Sequence, residues 1–155
     1  MAEDCIDQAA TLAQLSERPC VTRNLHIHGF IDSTKDDSTK EDSAKEGGSL
    51  AIYGSDAHEI RKIIASQPRL GKRLHAELPY VGAEVLWAVR HEMARTVEDV
   101  LARRTRALFL NARAALEMAP AVADLMAAEL GWDEPTRKQH LTAFRAVAAN
   151  YVLTR

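Results

Sequence analysis

From residue 56 onward, apolar side chains recur three and four positions apart, and each interruption is a proline, a glycine or a capping residue. That spacing puts them on single faces of successive α-helices and does not suit the two-residue period of a strand. Ile60, Ile63 and Ile64 give one face, stopped by Pro68. Leu86, Val89 and Met93 give the next, with Val85 and Trp87 beside it. Val97, Leu101, Arg104 and Leu108 follow at i, i+4, i+7 and i+11. Their helix is expected to run on through Ala112, Ala115 and Leu116 until Pro120 forces a break or a new start. Val122, Leu125, Met126 and Leu130 form a stripe that Gly131 closes. Leu141, Phe144, Ala148, Tyr151 and Val152 form the last, on a helix starting near residues 133–135. Asp56 with Glu59, and Thr96 with Asp99, have the spacing of N-terminal caps. Aromatics make up only 5% of a chain that is 46% hydrophobic, so Ala, Leu and Val must fill the core. The expected fold class is all-α: a compact bundle of about five helices over residues 51–155.

The first third of the chain reads differently. Residues 2–15 look helical, with Ile6, Ala9, Ala10 and Ala13 on one face, Leu12 and Leu15 beside it and Pro19 as the stop. Residues 20–22 and 25–29 read as short extended pieces. Ser33-Thr34-Lys35-Asp36-Asp37, Ser38-Thr39-Lys40-Glu41-Asp42 and Ser43-Ala44-Lys45-Glu46-Gly47 are three copies of a five-residue unit. Such a unit matches no regular element and has almost nothing to bury, so residues 31–50 are expected to be a disordered, charged linker. The expected division is therefore 1–30, 31–50 and 51–155.

Net charge is −2, which excludes broad nucleic-acid electrostatics. No apolar run reaches the roughly 20 residues that span a bilayer, so no transmembrane segment is expected. Glu3, Asp4 and Asp7 argue against a secretory signal, and two cysteines are too few for a disulfide framework. A reduced cytoplasmic setting follows as the default.

The residues offer little chemistry. His26 and His28 share one side of a strand, but no Cys or carboxylate pattern completes a metal site. His91-Glu92 lacks the second histidine of a zinc-protease helix, because Arg95 stands there. His58, His75 and His140 are isolated, Cys5 and Cys20 have no paired base in the sequence, and Gly47-Gly48 lies in the linker without the flanking strand of a phosphate loop. No catalytic, cofactor-binding or metal residue is expected in this chain. The arginine cluster remains. Arg103 and Arg106 share a face while Arg104 falls on the apolar stripe, where an unpaired guanidinium is costly. Two readings stay open: a buried Arg104 paired with Glu84, Glu92 or Asp99, or an anion or domain-contact site made by Arg103, Arg104, Thr105 and Arg106.

Glu98-Asp99-Val100-Leu101-Ala102-Arg103-Arg104-Thr105 resembles a segment near the C-terminus of FAD-dependent glycerol-3-phosphate dehydrogenases, which show Glu-Asp-(Val/Ile/Phe)-Leu-x-Arg-Arg-Thr. Residues 84–94 and 108–115 resemble the helices on either side, and residues 126–131 with Phe144 and Tyr151 resemble the ending. Residues 1–10 resemble the helix after that family's flavin-side glycine-rich loop, and residues 18–22 and 26–29 resemble the path into its C-terminal domain. The repeat linker looks like an insertion. The resemblance implies that the intact enzyme uses FAD to oxidise sn-glycerol 3-phosphate to dihydroxyacetone phosphate. It implies that residues 1–30 are the end of the flavin domain and 51–155 a C-terminal cap. That cap would have the flavin-binding domain as partner, a homo-oligomer as an option, and Arg103, Arg104 and Thr105 tying helices or domains together. The chain alone would bind no FAD and turn over no substrate, while the intact enzyme could sit peripherally at the inner membrane. The alternative is a free-standing helical interaction module with no enzymatic role.

Overall fold

The computed structural model describes residues 1–16, 18–31 and 49–152. The five-residue repeats fall outside the described residues. Helix α1 covers Ala2–Leu12 and buries none of its residues. Residues 20–29 form turns at 22–24 and 28–29, with no strand pairing, so the short extended pieces are corrected to irregular chain. A 3₁₀ stretch, Ser49–Asp56, leads into α2, Ala57–Ser66. The expected Asp56 cap is not made; its carboxylate takes Nδ1 of His28 at 3.0 Å instead. A 3₁₀ turn at Pro68–Gly71 follows.

Residues 69–80, which read in the sequence as an irregular connection containing Pro79, hold most of an antiparallel hairpin. Strands β1, Arg73–His75, and β2, Leu78–Val81, pair Arg73 with Val81 and His75 with Leu78 across a bulge. Leu78 and Tyr80 point into the core and Pro79 points out, the period-two alternation of a half-buried strand. The signal is only four residues long, and the proline masks it.

Helix α3, Gly82–His91, is buried from Gly82 to Val89 on all its faces, since it lies between two groups of core side chains. On one side Tyr53, Ala57, Ile60 and Leu70 pack against Ala83, Leu86 and Trp87. On the other lies the larger core, reaching from Leu78 through Val97, Leu101 and Leu108 to Met118, Val122, Met126 and Phe144. Met93 is not on the core face as expected: it is 78% exposed, at φ +58. The helix has ended before it, and the Ala94 amide turns back to the Ala88 carbonyl at 3.0 Å across it. Glycine usually holds such a left-handed position after a helix. Met93→Gly should therefore raise stability by about 0.5–1 kcal/mol in a urea melt, because the side chain removed packs on little; an unchanged or lower midpoint would count against strain there.

The helix expected from residue 96 to 116 is three pieces. A π-helical turn, Asp99–Arg104, is followed by α4, Ala107–Leu110, and α5, Ala112–Leu130. Arg106 at φ +58 and Asn111 in an extended conformation make the two breaks. Pro120, expected to break the chain, lies inside α5. Met118, Ala119, Val122 and Ala123 are fully buried on both sides of it, so packing offsets the lost hydrogen bond and the ring clash, which together cost about 3 kcal/mol. Gly131 ends α5 at φ +69, and Asp133 caps α6, Glu134–Ala148, through the Thr136 amide. A last 3₁₀ turn covers Ala149–Tyr151. Alanines such as Ala88, Ala115, Ala119, Ala123 and Ala148 are fully buried between these helices, which lets them approach closely, as the composition implied. The described residues are predominantly helical, as expected, with one small hairpin among them.

Candidate functional site

Helix α3 ends with carbonyls that no later turn satisfies, and two arginines supply the donors. Arg95 donates Nη1 to the carbonyls of Val89 and Ala94, at 3.1 and 3.2 Å. Arg104 donates Nε and Nη2 to the Glu92 carbonyl, at 3.0 and 2.6 Å, with the Glu92 carboxylate 3.5 Å away. Cations at a helix C-terminus also oppose its dipole favourably. Arg104 thus ties the arginine segment to α3.

The π turn explains how an arginine on an apolar stripe avoids burial. The Thr105 amide reaches back five residues to the Val100 carbonyl at 2.9 Å, and the Thr105 hydroxyl donates to that same oxygen at 2.8 Å. The extra residue in the turn rotates Arg104 away from Val97, Leu101 and Leu108. Those three are at most 2% exposed, while the Arg104 side chain keeps 33% of its surface in solvent. The inward-facing Arg104 expected from the stripe is therefore a half-buried strut at the edge of the core.

The start of the turn is closed by a reciprocal cap. The Asp99 amide donates to the Thr96 hydroxyl at 3.0 Å, and the Thr96 and Arg95 amides donate to the Asp99 carboxylate at 2.9 and 3.0 Å. Burial pushes the Asp99 carboxyl upward, but the Arg95 amide, the Thr96 hydrogen bonds and the Arg103 charge together hold it below its usual range. Arg103 reaches Glu98 and Asp99, at 2.7 and 2.8 Å. Arg106 is exposed and forms no ion pair or side-chain hydrogen bond with a described residue; its charge is felt at Tyr80.

Glu84 and Tyr53 form a second polar centre, which residue spacing did not point to. Glu84 is fully buried; it accepts the Val81 amide at 2.7 Å and the Tyr53 hydroxyl at 3.1 Å. Burial, then the charge of Glu84, drive the Tyr53 phenol far above its ordinary value. The signal in the sequence is Glu84 in the first turn after an extended Val81, which is the place for a cap. The histidines do not converge: His26 stacks on Phe30 with centroids 3.8 Å apart, His28 binds Asp56, and His75 binds Glu117 at 3.0 Å. Among the described residues no cluster of His, Cys, Asp and Glu could hold a metal, and Cys5 and Cys20 are free and exposed. No described helix is long and apolar enough to cross a membrane.

Known proteins give this arrangement a context. The family model for the C-terminal domain of alpha-glycerophosphate oxidase matches residues 20–137. The mitochondrial glycerol-3-phosphate dehydrogenases of Bos taurus and Homo sapiens are each 34% identical over 155 residues, covering 94% of this chain and 21% of their own length. That of Arabidopsis thaliana is 32% identical over 162 residues, covering 91% of this chain and 26% of its own length. The chain spans about a fifth of the length of the curated relatives it matches. No solved structure matches. The cytoplasmic setting expected from the sequence is overturned, because these relatives are named as mitochondrial proteins. Default reasoning from cysteine content and early acidic residues could not see this. With the arginine segment inside the matched range, the chain belongs to the family of the C-terminal domain of alpha-glycerophosphate oxidase and corresponds to the C-terminal portion of glycerol-3-phosphate dehydrogenases.

Proposed function

We propose that this chain is the helical cap of an FAD-dependent glycerol-3-phosphate dehydrogenase, packing on the flavin-binding part of that enzyme. The intact enzyme would oxidise sn-glycerol 3-phosphate to dihydroxyacetone phosphate, and this chain would supply structure rather than reacting groups. One observation carries the reading. The described residues up to 31 form no core: Ile6, Leu12, Val21 and Ile27 are 68%, 85%, 75% and 78% exposed. A helix as short as α1 is marginal in water without an apolar face to rest on. A segment of this kind makes sense as one edge of a larger body. The same contrast supports the division into 1–30, 31–50 and 51–155, since the core side chains begin at Leu50 and Tyr53.

FAD would belong to the flavin-binding part. At the start of α3, which follows a strand directly, the Val81 amide already donates to Glu84 and is not free for a phosphate. Arg104 acts as a tie within the cap, holding the end of α3 to the π turn, while Arg103 and Thr105 close the turn on itself. The DNA upstream of the Met1 codon tests the reading. An in-frame flavin-binding region with Gly-x-Gly-x-x-Gly supports it; a genuine start with its own ribosome site favours a free-standing interaction module. Flavin absorbance and dye reduction by the purified chain would overturn the assignment of a purely structural role.

A further inference from the structure

We propose that Arg106, Phe109, Leu110 and Tyr151 form the face on which the flavin-side part of the enzyme seats, with a carboxylate of that part over Arg106. This rests on the cap reading given under Proposed function. The breaks at Arg106 and Asn111 turn Leu108 inward, at 2% exposure, and leave Phe109 and Leu110 outward, at 55% and 67%. Tyr151, 47% exposed, comes from the far end of the chain and meets Phe109 edge-on with ring centroids 5.4 Å apart. Two distant segments thus build one apolar surface, beside an arginine.

Arg106 differs from the arginines around it. Arg95, Arg103 and Arg104 are all satisfied inside the chain. Arg106 has neither ion pair nor side-chain hydrogen bond among the described residues, yet it occupies a left-handed backbone position that disfavours any residue with a Cβ. An arginine at a strained corner, whose carbonyl takes the amides of the exposed Phe109 and Leu110, has the composition of an interface centre, where Arg and Tyr are enriched.

The occupant follows from length and charge. The relatives are about five times as long as the stretch they share with this chain, so on the cap reading a large body adjoins it. A second copy fits worse. A two-fold contact through this face would bring Arg106 toward its own equivalent, and none of the four residues carries a carboxylate to meet it.

The test mixes the full 155-residue chain with the human relative lacking the matched fifth of its length, once circular dichroism shows that remainder folded, and reads affinity by calorimetry. Arg106→Glu should weaken binding about 100-fold and Arg106→Gly about tenfold, while Lys62→Glu, next to the other core cluster, should leave it unchanged. Arg106→Gly separates binding from folding, because relief of the left-handed strain should raise the melting temperature of the isolated chain. Weaker binding with a higher melting temperature supports the face. Wild-type binding that Arg106→Gly does not alter overturns the face and leaves the cap reading standing. No binding by the wild type to the folded remainder overturns both. A chain that dimerises by light scattering, and loses the dimer in Arg106→Glu, overturns the proposal in favour of a second copy.

Discussion

Replacing Glu84 by Ala should cost the fold about 3–5 kcal/mol, measured as the shift in unfolding free energy from urea titrations. The carboxylate is fully buried and accepts the Val81 amide and the Tyr53 hydroxyl. Its removal leaves those donors in the interior without it, at about 1–3 kcal/mol each, and opens a void as well. Glu84→Gln keeps an acceptor oxygen and much of the volume, so it should cost clearly less. Equal losses for the two variants would mean that volume, not hydrogen bonding, is what Glu84 contributes.

The same pair predicts an alkaline limit. The Tyr53 phenol is raised in the folded chain by burial first and by Glu84 second, whereas the unfolded phenol ionises near its usual value of about 10. The folded state therefore holds a proton that the unfolded state gives up. This stabilisation is intact below about pH 10 and is lost as pH rises above it, by up to about 1.4 kcal/mol per pH unit. Tyr53→Phe should remove that slope. Tyr80 is raised in the same direction, so a weaker slope from it remains. A wild type whose stability is flat between pH 9 and 11 would refute the account.

Gly54→Ala should be nearly as damaging, at about 2–4 kcal/mol. Gly54 has φ +54 and ψ −128, and a Cβ there would lie 2.0 Å from the Gly29 carbonyl oxygen. Neither atom has room to retreat without separating residues 28–30 from the 3₁₀ stretch, which also carries the His28–Asp56 contact. Gly131→Ala is the control. It has a similar φ of +69, but a Cβ added there would meet no heavy atom within 4 Å, so it should cost only about 1 kcal/mol from the dihedral alone. If the two substitutions cost the same, the close approach of Gly29 and Gly54 is not holding the chain.

The helical character of residues 56–148 is legible from spacing because it depends on local rules. Thr96 with Asp99, Gly131, and Asp133 cap or end helices where the sequence places them, and Val122, Met126, Leu141 and Phe144 are buried as their stripes require. What escapes such a reading depends on packing across the chain. Pro120 continues a helix because buried neighbours on both sides hold it. Met93 and Arg106 accept left-handed backbone that residue preferences argue against. The arginine cluster is visible in the sequence, and Glu92 is among the partners open to Arg104, but the main acceptor is the backbone carbonyl of Glu92, which every residue possesses and no residue type announces. Glu84 is visible only as another partner open to that arginine, and its tie to Tyr53 spans thirty-one positions.

The contact between Gly29 and Gly54 has a consequence for how this chain tolerates change. Whatever peptide joins residues 31 and 49 leaves and re-enters the body beside a closed seam, so its length adds only slowly to the entropy of closure. Cargo such as an affinity tag or a small reporter domain could be spliced between these positions and carried without disturbing the core.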